Sequence, residues 1–344
     1  MKNLSLHTKW KRFALSAALA ATVTPLMQAQ PAQAQVQLNG AGATFPYPIY
    51  SKWFSVYRGA RINYQPIGSG GGINAIKNQT VDFGATDAPL SNAELRSMPG
   101  AVVHIPTVGG AVAVIYNGLP RGLRLSGPVV ANIYLGQITR WNDPQITALN
   151  PGMSLPSRRI TVARRSDGSG TTYIFTKFLA AVSPQWNRQV GASKAVDWPV
   201  GQGGRGNDGV AAIVKSSPGS IGYVEVAYAK QNNLPYASIR NRSGQFVQPT
   251  AAGVTAAAAA YARQLQRDVR FTIVNAPGAR AYPISGFTYI LAYKNQRDKT
   301  KGRALTSFLR WAMTNGQGYA RSLDYAPLPR SIVTLNTSKI NSIR

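Results

Sequence analysis

The sequence predicts an α/β fold, on two observations. Short apolar runs of strand length alternate along the chain with helical patterns, and three Gly/Ser/Thr segments each run directly into a helix. The strand-like runs are Arg61 to Tyr64, Ala111 to Tyr116, Ile160 to Ala163, Ile221 to Val226 and Thr288 to Tyr293. An Ala-rich stretch, Ala256 to Ala262, reads as the start of a surface helix, because alanine loses no side-chain freedom there. Neither an internal repeat nor a long linker interrupts the pattern.

The three segments share one local design. Gly40-Ala41-Gly42-Ala43-Thr44-Phe45-Pro46 leads into Ile49, Trp53 and Tyr57 on one helical face, with Pro46 suited to the first turn. Gly68-Ser69-Gly70-Gly71-Gly72 leads into Ile73 and Ile76. Arg164-Arg165-Ser166-Asp167-Gly168-Ser169-Gly170-Thr171-Thr172 leads into Ile174, Phe178 and Val182. Each puts unpaired backbone N–H groups and hydroxyls at the positive end of a helix dipole, which holds an anion without a charged side chain. Gly or Ser before a helix is also an ordinary cap. Three such segments, in a chain with only 11 Asp and Glu, point to a small oxyanion.

Length and composition bound the rest. A chain of 344 residues with 44% apolar and 14% charged residues suits one large or two medium folded domains. Residues 1–34 read as a cleavable signal peptide: Lys2, Lys9, Lys11 and Arg12, then an apolar run from Phe13 to Met27, then Ala32-Gln33-Ala34. The run is short for a membrane anchor, and Pro25 and the Gln-rich stretch after it favour cleavage. An exported, soluble, periplasmic protein is expected. The formal charge is +27; without the four signal residues, 34 Lys and Arg face 11 acids, or +23. Such a field attracts anions of every size and does not choose among them. With no cysteine, disulfides, thiolate metal sites and a lipid-modified cysteine are excluded. Beyond the signal, His104 is the one histidine, which excludes a His-rich zinc site and routes any Ser-His-Asp triad through it. No metal or cofactor is expected.

At these residues the chain closely resembles the PstS family of phosphate-binding proteins, the periplasmic components of phosphate ABC importers. The likeness runs through Gly40 to Pro46, Gly68 to Gly72, Val81 to Leu90, Arg164 to Thr171, Gly201 to Gly209, and Ile221 to Asn232, in order. It implies a two-lobed type II periplasmic binding protein with a ligand cleft between lobes. Lobe I would take residues 36–112 plus 284–344, and lobe II residues 113–283. The resemblance also implies a phosphate site of Thr44, Phe45, Ser69, Asp87, Arg165, Ser169, Gly170 and Thr171, with Asp167 orienting the arginine. The partners it implies are hydrogen phosphate and an inner-membrane ABC permease complex. A monomer that is not an enzyme and binds no nucleic acid is expected. The strong basicity is unusual for the family.

The residue types suit that task. Arg165 offers planar paired donors to two oxygens of a tetrahedral anion, although a surface arginine in a basic chain is the plain alternative. At neutral pH phosphate keeps a proton that Asp87 can accept, whereas sulfate has none to give, so a carboxylate selects by repulsion. Asp87 as a turn cap before Pro89 is the alternative. Two rival functions weigh less. Nucleic-acid binding fits the charge, but the basic residues are dispersed. A phosphatase using Ser169 would recruit metals or a base, and no cysteine, one histidine beyond the signal and few acids leave thin means for either. A third possibility keeps the phosphate pocket but makes the task sensing or attachment to anionic envelope polymers.

Overall fold

In the computed structural model, which describes residues 35–344, strands and helices alternate as the sequence predicts. The proposed signal peptide, residues 1–34, lies outside the described residues. The strands are β1 (Gln37–Gly42), β2 (Arg61–Gln65), β3 (Phe83–Thr86), β4 (Val102–Tyr116), β5 (Arg124–Leu125), β6 (Thr161–Arg165), β7 (Gln202–Gly204), β8 (Ser220–Glu225), β9 (Ser238–Arg240), β10 (Phe246–Val247) and β11 (Ser285–Tyr293). Eight of them form one mixed sheet in the order β2-β1-β3-β11-β4-β8-β6-β7, and β10-β9-β5 form a small second sheet.

Two long strands tie the main sheet together. β4 pairs with β11 from Val102 to Ala111 and then changes partner, pairing with β8 from Val112 to Tyr116. On one side of this spine β2, β1 and β3 run parallel to each other, and on the other β8, β6 and β7 do the same. Parallel strands need helical crossovers, and these cover the sheet. β4 is buried along nearly its whole length, so it shows no polar–apolar alternation. Only its last six residues, Ala111 to Tyr116, were therefore legible as a strand. Pro106 cannot donate to the ladder, and the register with β11 shifts between Thr288 and Tyr289, opposite Val108 and Pro106.

The structure corrects two local expectations. Pro46 is the N-cap residue, and the proline inside the first turn of the helix Tyr47–Val56 is Pro48. The Ala-rich stretch ends a surface helix and does not start one: Ala259 and Ala260, its last residues, are exposed. Its helix, Ala251–Ala260, is capped by Thr250 and has Ala257 and Ala258 buried, so small side chains let it lie close on the sheet.

Aromatic side chains fill the core on both sides. Tyr50, Trp53, Tyr64 and Phe83 cluster beside β1, and Phe175 stacks on Tyr223 at 4.2 Å beside β8. The helix Ser69–Lys77 is held against β1 and β3 through Gly72. A Cβ there would lie 2.5 Å from Gly42 Cα and 2.7 Å from the carbonyls of Ala41 and Ala85, all backbone atoms that cannot move aside. Gly72→Ala should therefore destabilise the protein by about 1–3 kcal/mol, read as a fall in thermal midpoint. Gly318→Ala, where a Cβ meets nothing within 4 Å, is the matched control and should leave the midpoint unchanged.

Candidate functional site

Every predicted site residue lies at or just past the carboxyl end of a parallel strand. Thr44 and Phe45 follow β1, Ser69 follows β2 and Asp87 follows β3. From the other side of the spine, Arg165 ends β6, and Asp167, Ser169, Gly170 and Thr171 lead from it into the helix Gly170–Val182. This edge is where open α/β sheets present loops and helix N-termini to ligands. All these residues except Asp167 are at least nine-tenths buried.

The segment after β1 is held by three tyrosine hydroxyls. Tyr64 donates to the Ala43 carbonyl at 2.8 Å, Tyr228 to that of Thr44 at 2.7 Å, and Tyr325 to that of Phe45 at 2.6 Å. Burial keeps all three phenols protonated, with pKa values raised well above the ordinary range. Three successive carbonyls are thus satisfied by donors. Among the described residues, the N–H groups of Thr44 and Phe45 meet no protein acceptor. The Phe45 ring is fully buried and packs edge-on against Tyr325, so Phe45 can serve a ligand only through its backbone.

Across the spine, Arg165 donates to both carboxylate oxygens of Asp167, from Nε at 2.7 Å and from Nη2, and to Thr171 Oγ1 at 3.4 Å from Nη1. Three of its five N–H bonds are used, which leaves two for an anion. Burial alone would raise the Asp167 pKa, but the hydrogen bonds and charge of Arg165 overcome it and hold the carboxyl below its usual range. Ser169 caps the helix by accepting from Thr172 N at 3.0 Å, which leaves its hydroxyl hydrogen unused.

Asp87 is the one acid among these donors. Burial pushes its pKa up to about 7, against the pull of the Thr288 hydroxyl, the Arg165 charge and Ser69. Ser69 Oγ accepts from the Asp87 backbone N at 3.2 Å and stands 3.5 Å from Oδ2, too far to hold it firmly. Asp87 Oδ1 and Thr288 Oγ1 are both buried, near enough for the hydroxyl to favour the ionised carboxyl, but neither has a partner at hydrogen-bonding geometry in the protein. Thr288 stands at the register shift of β11, across from Val108, and its hydroxyl lies near this carboxyl.

Glycine lets the two sides meet. Gly70 N donates to the Gly168 carbonyl at 2.8 Å, and a Cβ on Gly70 would lie 3.1 Å from Gly168 Cα. A Cβ on Gly170 would fall 2.6 Å from both Asp87 Oδ2 and Ser69 Oγ. Lys194 Nζ pairs with Glu94 at 2.6 Å, and the Lys194 carbonyl accepts from Ser169 N at 2.9 Å.

Sequence reasoning missed the three tyrosines, Thr288 and Asn207. Asn207 lay within the Gly201–Gly209 stretch, but nothing in that stretch marked it, and no spacing singles out three tyrosines from 16. His104 stands apart from the site chemistry. Burial, then the charges of Lys339 and Arg270, push its pKa down to about 3, and its Nε2 accepts from Leu90 N at 3.0 Å. Its basic nitrogen therefore anchors the loop after Asp87 and is not available to activate Ser169.

Comparison with known proteins agrees with this architecture. Residues 28–315 match the PBP superfamily domain. The phosphate-binding protein PstS of Xylella fastidiosa (strain 9a5c) is 45% identical over 303 residues, covering 87% of this chain and 83% of that protein. PstS of Pasteurella multocida (strain Pm70) is 44% identical over 330 residues, covering 94% and 93%. Among solved structures, the periplasmic phosphate-binding protein PfluDING, bound with phosphate, superposes with a TM-score of 0.70 at 23% identity, covering 88% of this chain and 93% of that one. The phosphate-binding protein from Stenotrophomonas maltophilia gives 0.68 at 20%, covering 88% and 94%, and these two likenesses concern the fold. The chain has the type II periplasmic binding fold and belongs to the PstS family of phosphate-binding proteins.

Proposed function

We propose that this chain captures inorganic phosphate in the periplasm and delivers it to an inner-membrane ABC permease, as a monomer that carries out no chemistry on its cargo. Thr44, Phe45, Ser69, Asp87, Arg165, Ser169, Gly170 and Thr171 hold the anion, and Asp167 orients Arg165. One observation carries this reading: a buried carboxylate oxygen, Asp87 Oδ1, without a protein partner, set among uncommitted hydroxyl, guanidinium and backbone donors. Donors alone would suit any oxyanion. Donors around one acceptor suit an anion that brings a proton.

Export would follow from cleavage after residue 34, and no helix among the described residues is long and apolar enough to cross a membrane. We place lobe I at residues 36–112 plus 284–344 and lobe II at residues 113–283. The change of partner in β4 between Ala111 and Val112, and the start of β11 at Ser285, support those boundaries. A ligand gripped from both lobes stabilises the closed form, which a permease can recognise.

The first test is calorimetry on protein unfolded and refolded to strip bound anions, in physiological salt with excess sulfate. Saturable one-to-one phosphate binding is expected; no binding, or binding that sulfate abolishes, would overturn the reading. Arg165→Ala should cost about 2–5 kcal/mol of phosphate affinity, because it leaves a desolvated anion charge unpaired. An affinity close to that of the unmodified protein would remove Arg165 from the site.

Asp87 gives a pH signature. With its pKa raised to about 7, the carboxyl is ionised and acceptor-only above that pH and becomes a donor below it. Sulfate should therefore compete better as pH falls from roughly 8 to roughly 5.5. Asp87→Asn, which carries a donor at every pH, should admit sulfate throughout while losing less affinity for phosphate. Competition titrations at the two pH values check both statements, and sulfate that never displaces phosphate from the variant would refute them.

A further inference from the structure

Asn207 belongs to none of the assigned roles, yet it joins the two sides of the cleft. It lies at the start of the helix Gly206–Ser216, past the carboxyl end of β7, and is fully buried. Its Oδ1 accepts from the Glu225 backbone N at 2.9 Å. A backbone N–H can only donate, so this contact fixes which way the amide faces. Nδ2 then faces the site and gives one bond to Thr44 Oγ1 at 2.7 Å and one to Thr171 Oγ1 at 3.2 Å. Thr44 Oγ1 also accepts from the Asn207 backbone N at 3.2 Å, and Thr171 Oγ1 from Arg165 Nη1 at 3.4 Å.

A hydroxyl has two acceptor sites and one hydrogen. Both threonine oxygens already accept two bonds, so each has only its hydrogen left to offer. We propose that Asn207 is the positioning residue that fixes the Thr44 and Thr171 hydroxyls as donors to the bound oxyanion, one on each side of the cleft. This rests on the phosphate reading of the site and explains how that site presents neutral donors. Without the amide, either hydroxyl can turn its hydrogen to a protein acceptor and present lone pairs to the anion, which repels it. The amide also spans the cleft, so its full set of bonds exists only when the two sides are together. The carbonyl-pinning tyrosines act on the backbone; Asn207 acts on the hydroxyls.

A double-mutant cycle tests this. Phosphate affinity is measured by calorimetry for the full mature protein, Asn207→Ala, Thr44→Val, and the two combined, with thermal midpoints recorded without phosphate. Asn207→Ala should weaken phosphate binding about tenfold or more, and the penalty should shrink to less than half on a logarithmic scale when Thr44 is already Val. A merely structural residue would give the same penalty in both backgrounds. Asn207→Asp guards against loss of fold, since it keeps the shape and the bond from Glu225 N but replaces the Nδ2 donors by an acceptor. Its charge repels the anion equally with or without the Thr44 hydroxyl, so only action through that hydroxyl makes its penalty smaller in the Thr44→Val background. Equal penalties in both backgrounds, or unchanged affinity in Asn207→Ala, would overturn the assignment while leaving the phosphate site standing. An unmodified protein that does not bind phosphate would overturn both.

Discussion

The site depends on keeping carbonyl oxygens away from an anion. Every peptide carries an acceptor for each donor, and a loop that offers its N–H groups to a negative ligand must put its C=O groups elsewhere. Here Tyr64, Tyr228 and Tyr325 take up three consecutive carbonyls after β1. They come from β2, from the helix Val226–Gln231 and from the C-terminal segment, so three remote parts of the chain converge on one turn. The helix-dipole argument describes where the donors point. The tyrosines explain why none of these three carbonyls competes beside them, and Asn207 applies the same logic to hydroxyls.

The charge has a different place in the molecule. The chain has 11 acids, and most are committed. Asp167 holds Arg165, Asp82 holds Lys301, Glu94 holds Lys194, Asp268 holds Arg270 and Asp324 holds Lys230. Asp143 and Asp298 cap helices, and burial raises the Glu225 pKa well above its ordinary value. Surface basic residues far outnumber these partners and set a long-range field that salt screens, whereas the buried donors act at contact. Attraction towards the protein and recognition within it are thus separate functions of different residues.

The α/β class was legible because it depends on local patterns, the apolar runs, and the Gly/Ser segments before helices marked three loops suited to an anion; the individual site residues came from the resemblance to the PstS family. Asp87 too was named by that resemblance; the protonation chemistry of phosphate gives a reason for a carboxyl there, but from the residues alone a turn cap before Pro89 was an equal reading. Other features were hidden for physical reasons. β4 is buried on both faces, so alternation could not mark where it begins at Val102. Thr288 stands at a register shift, a consequence of pairing between strands distant in sequence. Asn207 and the tyrosines act through long-range hydrogen bonds, and such partners leave no trace in spacing. Ala256 to Ala262 marked a helix but not its start, because the cap at Thr250 lies outside the alanine run.

The meeting of Gly70 with Gly168, and of Gly170 with Asp87 and Ser69, bears on how tightly such a site can hold a small ion. Closing a cleft ordinarily freezes the rotamers of the side chains that line it, and that entropy is subtracted from the affinity. At this seam several of the contacting groups are bare backbone, with no rotamers to lose. The closed state can therefore form around a five-atom ligand whose few contacts would otherwise be consumed in ordering the protein.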